Sequence, residues 1–136
     1  MANIQSIMIV DDSTRCTELM SAALGAAGAG AVLVENDSRV AIKRIVGGEA
    51  GLVLLDIKMP ELNGFQVLDA VREAGCRIPI LMCSGSVRQS DVNRAYASGC
   101  NGYFGKPDSL DQYRSLAKAI VEYWMRSDIP EAHKVG

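Results

Sequence analysis

Four short apolar runs in this chain each end abruptly on a polar residue. Ile7 to Val10 stops at Asp11-Asp12, Leu52 to Leu55 at Asp56, and Ile80 to Cys83 at Ser84. Tyr103-Phe104-Gly105 stops at Lys106, which is followed by Pro107. Runs of this length, rich in aliphatic residues and flanked by helical periodicity, predict buried parallel strands. A further run, Ala31 to Glu35, completes a set of five strand–helix units.

The units follow in order. The first strand covers about Ile4–Val10. Helix 1 presents Cys16, Leu19, Met20, Ala23, Leu24 and Ala27 at helical spacing, and the glycines between Gly25 and Gly30 stop it. Strand 2 is Ala31–Glu35. Asp37 or Ser38 caps helix 2, whose apolar positions are Val40, Ile42, Ile45 and Val46, and Gly47-Gly48 closes it. Strand 3 is Leu52–Leu55, and a loop leads to helix 3 at about Phe65–Ala74. Strand 4 is Ile80–Cys83. Helix 4, about Ser90–Ala97, has the weakest apolar stripe: Val92, Ala95 and Tyr96. Strand 5 is Gly102–Phe104. Helix 5 starts from the capping-box pattern Ser109-Leu110-Asp111-Gln112. Its apolar face is Leu110, Tyr113, Leu116, Ala117, Ile120, Val121 and Trp124, the last a core lid or a partner anchor. Repeated βα alternation implies an α/β fold with a parallel sheet, helices on both faces and right-handed crossovers.

In such a sheet, ligands sit beyond the carboxyl ends of the strands. The alternation therefore brings Asp11, Asp12, Asp56, Ser84 and Lys106 to one edge. Three carboxylates so close repel one another, and at least one gains a proton unless a cation intervenes. Mg²⁺ accepts one or two carboxylates, keeps several waters and takes a phosphate oxygen. A carboxylate such as Asp56 can also attack phosphorus and form an acyl phosphate. A lysine about 4 Å from such a group contributes on the order of 4 kcal/mol at an effective dielectric near 20, before desolvation.

Composition adds limits. The 136 residues fit one domain, 49% of them hydrophobic, and a net charge of -2 shows no excess of basic residues for nucleic acid. No apolar stretch approaches a membrane span, and no leader is visible. Cys16, Cys76, Cys83 and Cys100 lack CxxC spacing and read as buried free thiols, in keeping with a reducing cytoplasm. The glycines fit no nucleotide-binding pattern. The only histidine, His133, lies in a tail (Ser127–Gly136) that reads as frayed.

Asp11-Asp12, Asp56 with Met59-Pro60 and Gly64, Ser84, and Lys106-Pro107 resemble the receiver domain of two-component response regulators, over about Ile4 to Met125. The resemblance implies a flavodoxin-like sheet of order 2-1-3-4-5, with residues 1–126 as the domain and 127–136 as the tail. It implies that Asp56 is the phosphoacceptor. Asp12, Asp56 and the backbone carbonyl of Lys58 would bind Mg²⁺, with Asp11 acting through water. Lys106 and Ser84 would contact the phosphoryl group. Tyr103 falls at the switch-aromatic position and would turn inward as Ser84 is drawn to the phosphate. Many relatives have threonine and alanine where this chain has Ser84 and Gly85; flexibility at Gly85 would loosen the coupling to Tyr103. Lys58 and Ser86 occupy positions that tune phosphoryl lifetime in the family. The bond before Pro107 is often cis there.

The implied function is that of a cytoplasmic single-domain response regulator, a signalling protein rather than an enzyme. It would take a phosphoryl group from a partner histidine kinase or phosphotransfer protein, since His133 is no donor. It would act on a downstream protein through helix 4, strand 5 and helix 5, as a monomer or weak homodimer, without nucleic acid or membrane. A phosphate sink or a phosphorelay intermediate needs the same residues. A haloacid-dehalogenase-type phosphohydrolase needs a second aspartate two positions after the nucleophile, where this chain has Lys58.

Overall fold

A computed structural model describes residues 6–124 of the chain. Ile4, the tail with His133, and the side chain of Trp124 lie outside the described residues. Five strands alternate with five helices: β1 (Ser6–Val10), α1 (Thr14–Ala26), β2 (Ala31–Glu35), α2 (Ser38–Val46), β3 (Leu52–Asp56), α3 (Gly64–Glu73), β4 (Ile80–Ser84), α4 (Gln89–Ala97), β5 (Gly102–Gly105) and α5 (Leu110–Trp124). The sheet is parallel throughout, in the order β2-β1-β3-β4-β5.

Alternate strand residues face opposite sides of the sheet and build two cores. Met8, Val10, Val53, Leu55, Ile80 and Met82 pack against Ala41 and Ile45 of α2, Phe65, Leu68 and Val71 of α3, and Ala95 of α4. Ile7, Ile9, Leu52, Leu54 and Leu81 pack against Met20, Ala23 and Leu24 of α1 and Tyr113, Ala117 and Ile120 of α5. β1 and β3 are buried along their whole length, so their carboxyl ends are fixed from both sides.

The helix ends follow local chemistry. Ser13 and Asp37 cap α1 and α2 through their side chains. Asn63 and Gln66 form a reciprocal capping box at α3. α1 ends where Gly28 takes φ 97, with Ala29 N–H donating to the Leu24 carbonyl and Gly28 N–H to that of Gly25. This is a Schellman closure that a side chain resists. The same pair of bonds closes α2, α3 and α4.

Four details depart from the sequence reading. On α2 the buried positions are Ser38, Ala41 and Ile45, while Val40 and Val46 are exposed; the helix turns the Ser38, Ala41 and Ile45 face inward, and Ile42 packs at its edge. On α5, Leu110 is exposed and lines a groove with Arg15, Leu19 and Pro107 instead of the core. Its capping is shifted: Ser109 Oγ accepts from Gln112 N–H, but the Gln112 side chain reaches Asp108 N–H, not that of Ser109. All four cysteines are free, yet only Cys100 is fully buried; Cys16, Cys76 and Cys83 are half-buried. Among the described residues every peptide bond is trans, including that before Pro107.

α4 is the least embedded helix. Only Ala95 is buried, Tyr96 is exposed, and Arg88 at its start makes no capping bond through its side chain.

Gly64 is where the loop from β3 returns. Its N–H donates to the Ile57 carbonyl at 2.8 Å. A methyl group there would run into the Asp56 carbonyl oxygen and approach Ile57 Cα to 2.8 Å. Both obstacles are backbone, so neither can swing away. Gly64→Ala is expected to lower unfolding free energy by about 1–3 kcal/mol, the usual cost of overpacking. Urea unfolding checks this, and wild-type stability would show that the loop yields freely.

Candidate functional site

The carboxyl ends of β1, β3, β4 and β5 meet at one cleft. It is lined by Asp11, Asp12, Asp56, Lys58, Ser84, Ser86, Arg88, Asp91 and Lys106, among others. Asp11 follows β1, Asp56 ends β3, Ser84 ends β4, and Lys106 follows β5. The parallel register sets Asp56 beside Cys83 and Ser84 beside Gly105. A bond from Lys106 N–H to the Ser84 carbonyl, 2.7 Å long, carries the β4–β5 pairing one residue beyond the strands.

Asp11 and Asp56 are each only 5% exposed, so their charges are largely out of water. Lys106 Nζ lies 2.9 Å from Asp11 Oδ2 and 3.4 Å from Asp56 Oδ2, bridging the two carboxylates. The other oxygen of Asp11 accepts the Ser13 N–H at 2.9 Å. The Asp11 carbonyl accepts the Asn36 side-chain amide at 2.8 Å. Asp12 stands exposed at the mouth. Carboxylate oxygens of Asp11, Asp12 and Asp56 lie within 4.8 Å of one another, a group able to hold a metal ion.

The electrostatics reflect one ammonium among three carboxylates. Burial and then the Asp11 charge push the Asp56 carboxyl up, against the pull of Lys106, to about 6 from an ordinary 3.8. Burial opposes the charge on Lys106, but its bond to Asp11 and the charge of Asp56 outweigh this and hold it above the ordinary lysine range. The site thus has one ammonium for three carboxylates, an excess of negative charge that a divalent ion could balance. The oxygen-only donor set suits Mg²⁺.

Tyr103 does not line the cleft. It sits behind Ser84, and its hydroxyl donates to the Ser86 carbonyl at 2.6 Å. Ser84 Oγ accepts the Ser86 N–H at 3.1 Å. Ser86 Oγ in turn donates to Asp91 at 2.7 Å. Ser86 is therefore the node that joins Ser84, Tyr103 and the first turn of α4. A methyl group at Gly85 would meet nothing within 4 Å, so crowding does not demand glycine there.

Sequence reasoning placed Asp11, Asp12, Asp56, Ser84 and Lys106 at one edge and the resemblance added Lys58, and the structure brings all six to one cleft. It missed Arg88 and Asp91, which close the cleft on the α4 side. The spacing of Ser86 and Asp91 across a helix start was their one signal. A half-buried thiol, Cys83, lies beneath the site, its pKa pushed by burial up to about 12 and so far from a reactive thiolate.

Comparison with known proteins agrees with this geometry. The model of the response regulator receiver domain matches residues 7–118. The probable methanogenesis regulatory protein FilR2 of Methanothrix harundinacea is 28% identical over 128 residues, covering 88% of this chain and 83% of that protein. The uncharacterized transcriptional regulatory protein YcbL of Bacillus subtilis is 34% identical over 116 residues, which cover 84% of this chain. The chain spans 50% of YcbL and 34% of the Streptococcus pneumoniae regulator CiaR, so those relatives are much longer. The crystal structure of the phosphorylated cyanobacterial phytochrome response regulator RcpA superposes with a TM-score of 0.81 at 25% identity, over 90% of this chain and 94% of that one. A receiver domain from Rhodospirillum rubrum shares the fold with a TM-score of 0.80 at 24% identity, over 93% and 97% of the two chains. The matched model, the sheet order and the residues at the strand ends together make this chain a member of the response regulator receiver domain family.

Proposed function

We propose that Asp56 accepts a phosphoryl group from a phosphohistidine of a partner kinase or phosphotransfer protein. The observation that carries this reading is the buried Asp56 carboxylate, joined to Asp11 through Lys106 and open to a cleft that a phosphate can enter. Asp56 Oδ attacks phosphorus, the P–N bond to the donor breaks, and the donor imidazole keeps the electron pair. Asp12, Asp56 and the Lys58 carbonyl would hold Mg²⁺ directly, with Asp11 acting through water. When bound, Mg²⁺ neutralises charge on the transferring group. Lys106 is already placed to meet a phosphoryl oxygen, and Ser84 Oγ would donate to another.

Residues 1–126 act as one receiver unit in this reading. Output runs through α4, β5 and α5, where Val87, Tyr96 and Leu110 are 66%, 50% and 50% exposed. That apolar exposure beside a weakly anchored helix suits a protein partner whose grip depends on phosphorylation. Use of the same chemistry as a sink or relay step would leave the site unchanged. Among the described residues no helix is long and apolar enough to cross a membrane.

Three outcomes follow from this reading. With acetyl phosphate and Mg²⁺, intact mass rises by one phosphoryl group, and Asp56→Asn or removal of Mg²⁺ abolishes the gain; a gain that survives Asp56→Asn would place the acceptor elsewhere. Tyr103→Ala keeps the mass gain but loses the shifts of α4 amide resonances on adding beryllofluoride, and unchanged shifts would remove Tyr103 from the switch. The third concerns pH. The folded Asp56 carboxyl sits at about 6 against an ordinary 3.8, so the native state binds this proton more tightly than the unfolded chain. The contribution to stability is then present at low pH and falls as pH rises from about 4 through 6. In EDTA the wild type gains stability relative to Asp56→Asn on going from pH 7 to pH 5, by urea unfolding. Mg²⁺ raises wild-type stability at pH 7, because it binds the native state. No pH-dependent difference between the two proteins would refute the crowding of Asp56.

A further inference from the structure

Ser38 opens α2, yet its hydroxyl does nothing for that helix. Asp37 already caps α2 by accepting the Arg39 and Val40 N–H groups. Ser38 is 3% exposed, and its Oγ spends both of its bonds on a loop more than 20 residues away in sequence. It donates to the Pro60 carbonyl at 3.2 Å and accepts the Leu62 N–H at 3.2 Å.

Those two bonds straddle Glu61, which has φ 69, the one non-glycine residue with positive φ among the described residues. Glutamate gains nothing in the left-handed region, so the surroundings must hold it there. The ion pair of Glu61 with Arg39, at 3.8 Å, is long and exposed at both ends, and contributes little. The hydroxyl of Ser38 is the buried restraint. At its far end the same loop is closed by Gly64 N–H on the Ile57 carbonyl at 2.8 Å. Asp56 directly precedes the Ile57 closure, and Lys58 lies between it and the Pro60 closure.

We infer that Ser38 is a positioning residue for the cation site, clamping the β3–α3 loop so that the Lys58 carbonyl and Asp56 keep a fixed relation. This rests on the reading of the Asp11, Asp12 and Asp56 cleft as a Mg²⁺ site. The clamp lies on α2, remote from the phosphoryl group, and touches no ligand atom. Its effect is carried by backbone geometry, as outer residues of metal sites orient the inner ones.

The test is Mg²⁺ binding by calorimetry without any phosphodonor. Ser38→Ala is expected to weaken Mg²⁺ binding by about tenfold, the lower end for loss of an orienting partner. Asparagine adopts the left-handed region far more readily than glutamate. Adding Glu61→Asn to Ser38→Ala is therefore expected to recover most of the loss. Ser38→Cys, which keeps a weaker donor and acceptor, falls between wild type and Ser38→Ala and serves if the alanine variant does not fold. Hydrogen exchange at the Leu62 amide speeds up in Ser38→Ala while α3 amides keep their protection. A Ser38→Ala protein that binds Mg²⁺ within about twofold of wild type overturns the clamp, as does a loss that Glu61→Asn leaves unrepaired. Wild type that binds no Mg²⁺ overturns the cation site itself, and the clamp with it.

Discussion

Everything at the cleft depends on Lys106 standing between Asp11 and Asp56. Without that ammonium, two carboxylates almost wholly removed from water would face each other unscreened. With it, the site still holds an excess of negative charge, and this excess gives it an appetite for a divalent cation. A phosphoryl group approaches a carboxylate cluster more readily when cationic charge offsets the anionic charge there.

The sheet makes this arrangement possible. Burial of β1 and β3 on both faces pins Asp11 and Asp56, so the repulsion cannot be relieved by moving either backbone. The loop after Asp56 is pinned too, by Gly64 at one end and by Ser38 across Glu61. By contrast α4 buries a single residue, and is tied down by the chain of bonds from Ser84 through Ser86 to Asp91 and by Arg94 over the Phe65 ring at 4.2 Å. Rigidity lies under the chemistry, and looseness lies where a signal would leave. Tyr103 spans the two, with its ring near the core and its hydroxyl on Ser86.

Much of this was legible in the chain. Polar residues that terminate apolar runs marked strand ends, and strand ends in a parallel sheet share an edge. Strand order came from the family resemblance, because periodicity cannot say which strands are neighbours. Helix faces were less legible: Ile45 is buried as expected, but Val40 and Val46, apolar and at plausible spacing, are exposed while Ala41 and Ser38 are buried. Hydrophobicity does not reveal which side of a helix has room, and small residues are chosen where room is short. The roles of Ser38, Arg88 and Asp91 were illegible for a related reason. Each depends on a partner brought near by the tertiary fold, such as the Leu62 N–H for Ser38 or the shared cleft wall for Arg88.

The central claim is that Asp56 is held in a crowded, largely dehydrated carboxylate group that a divalent cation completes. Carbon-detected NMR titration of the Asp56 side-chain carboxyl, with and without Mg²⁺, reads this directly. The account predicts a metal-free midpoint near 6, falling well below the ordinary carboxylate value on saturation with Mg²⁺. A metal-free midpoint near 4 that Mg²⁺ leaves unmoved would contradict it.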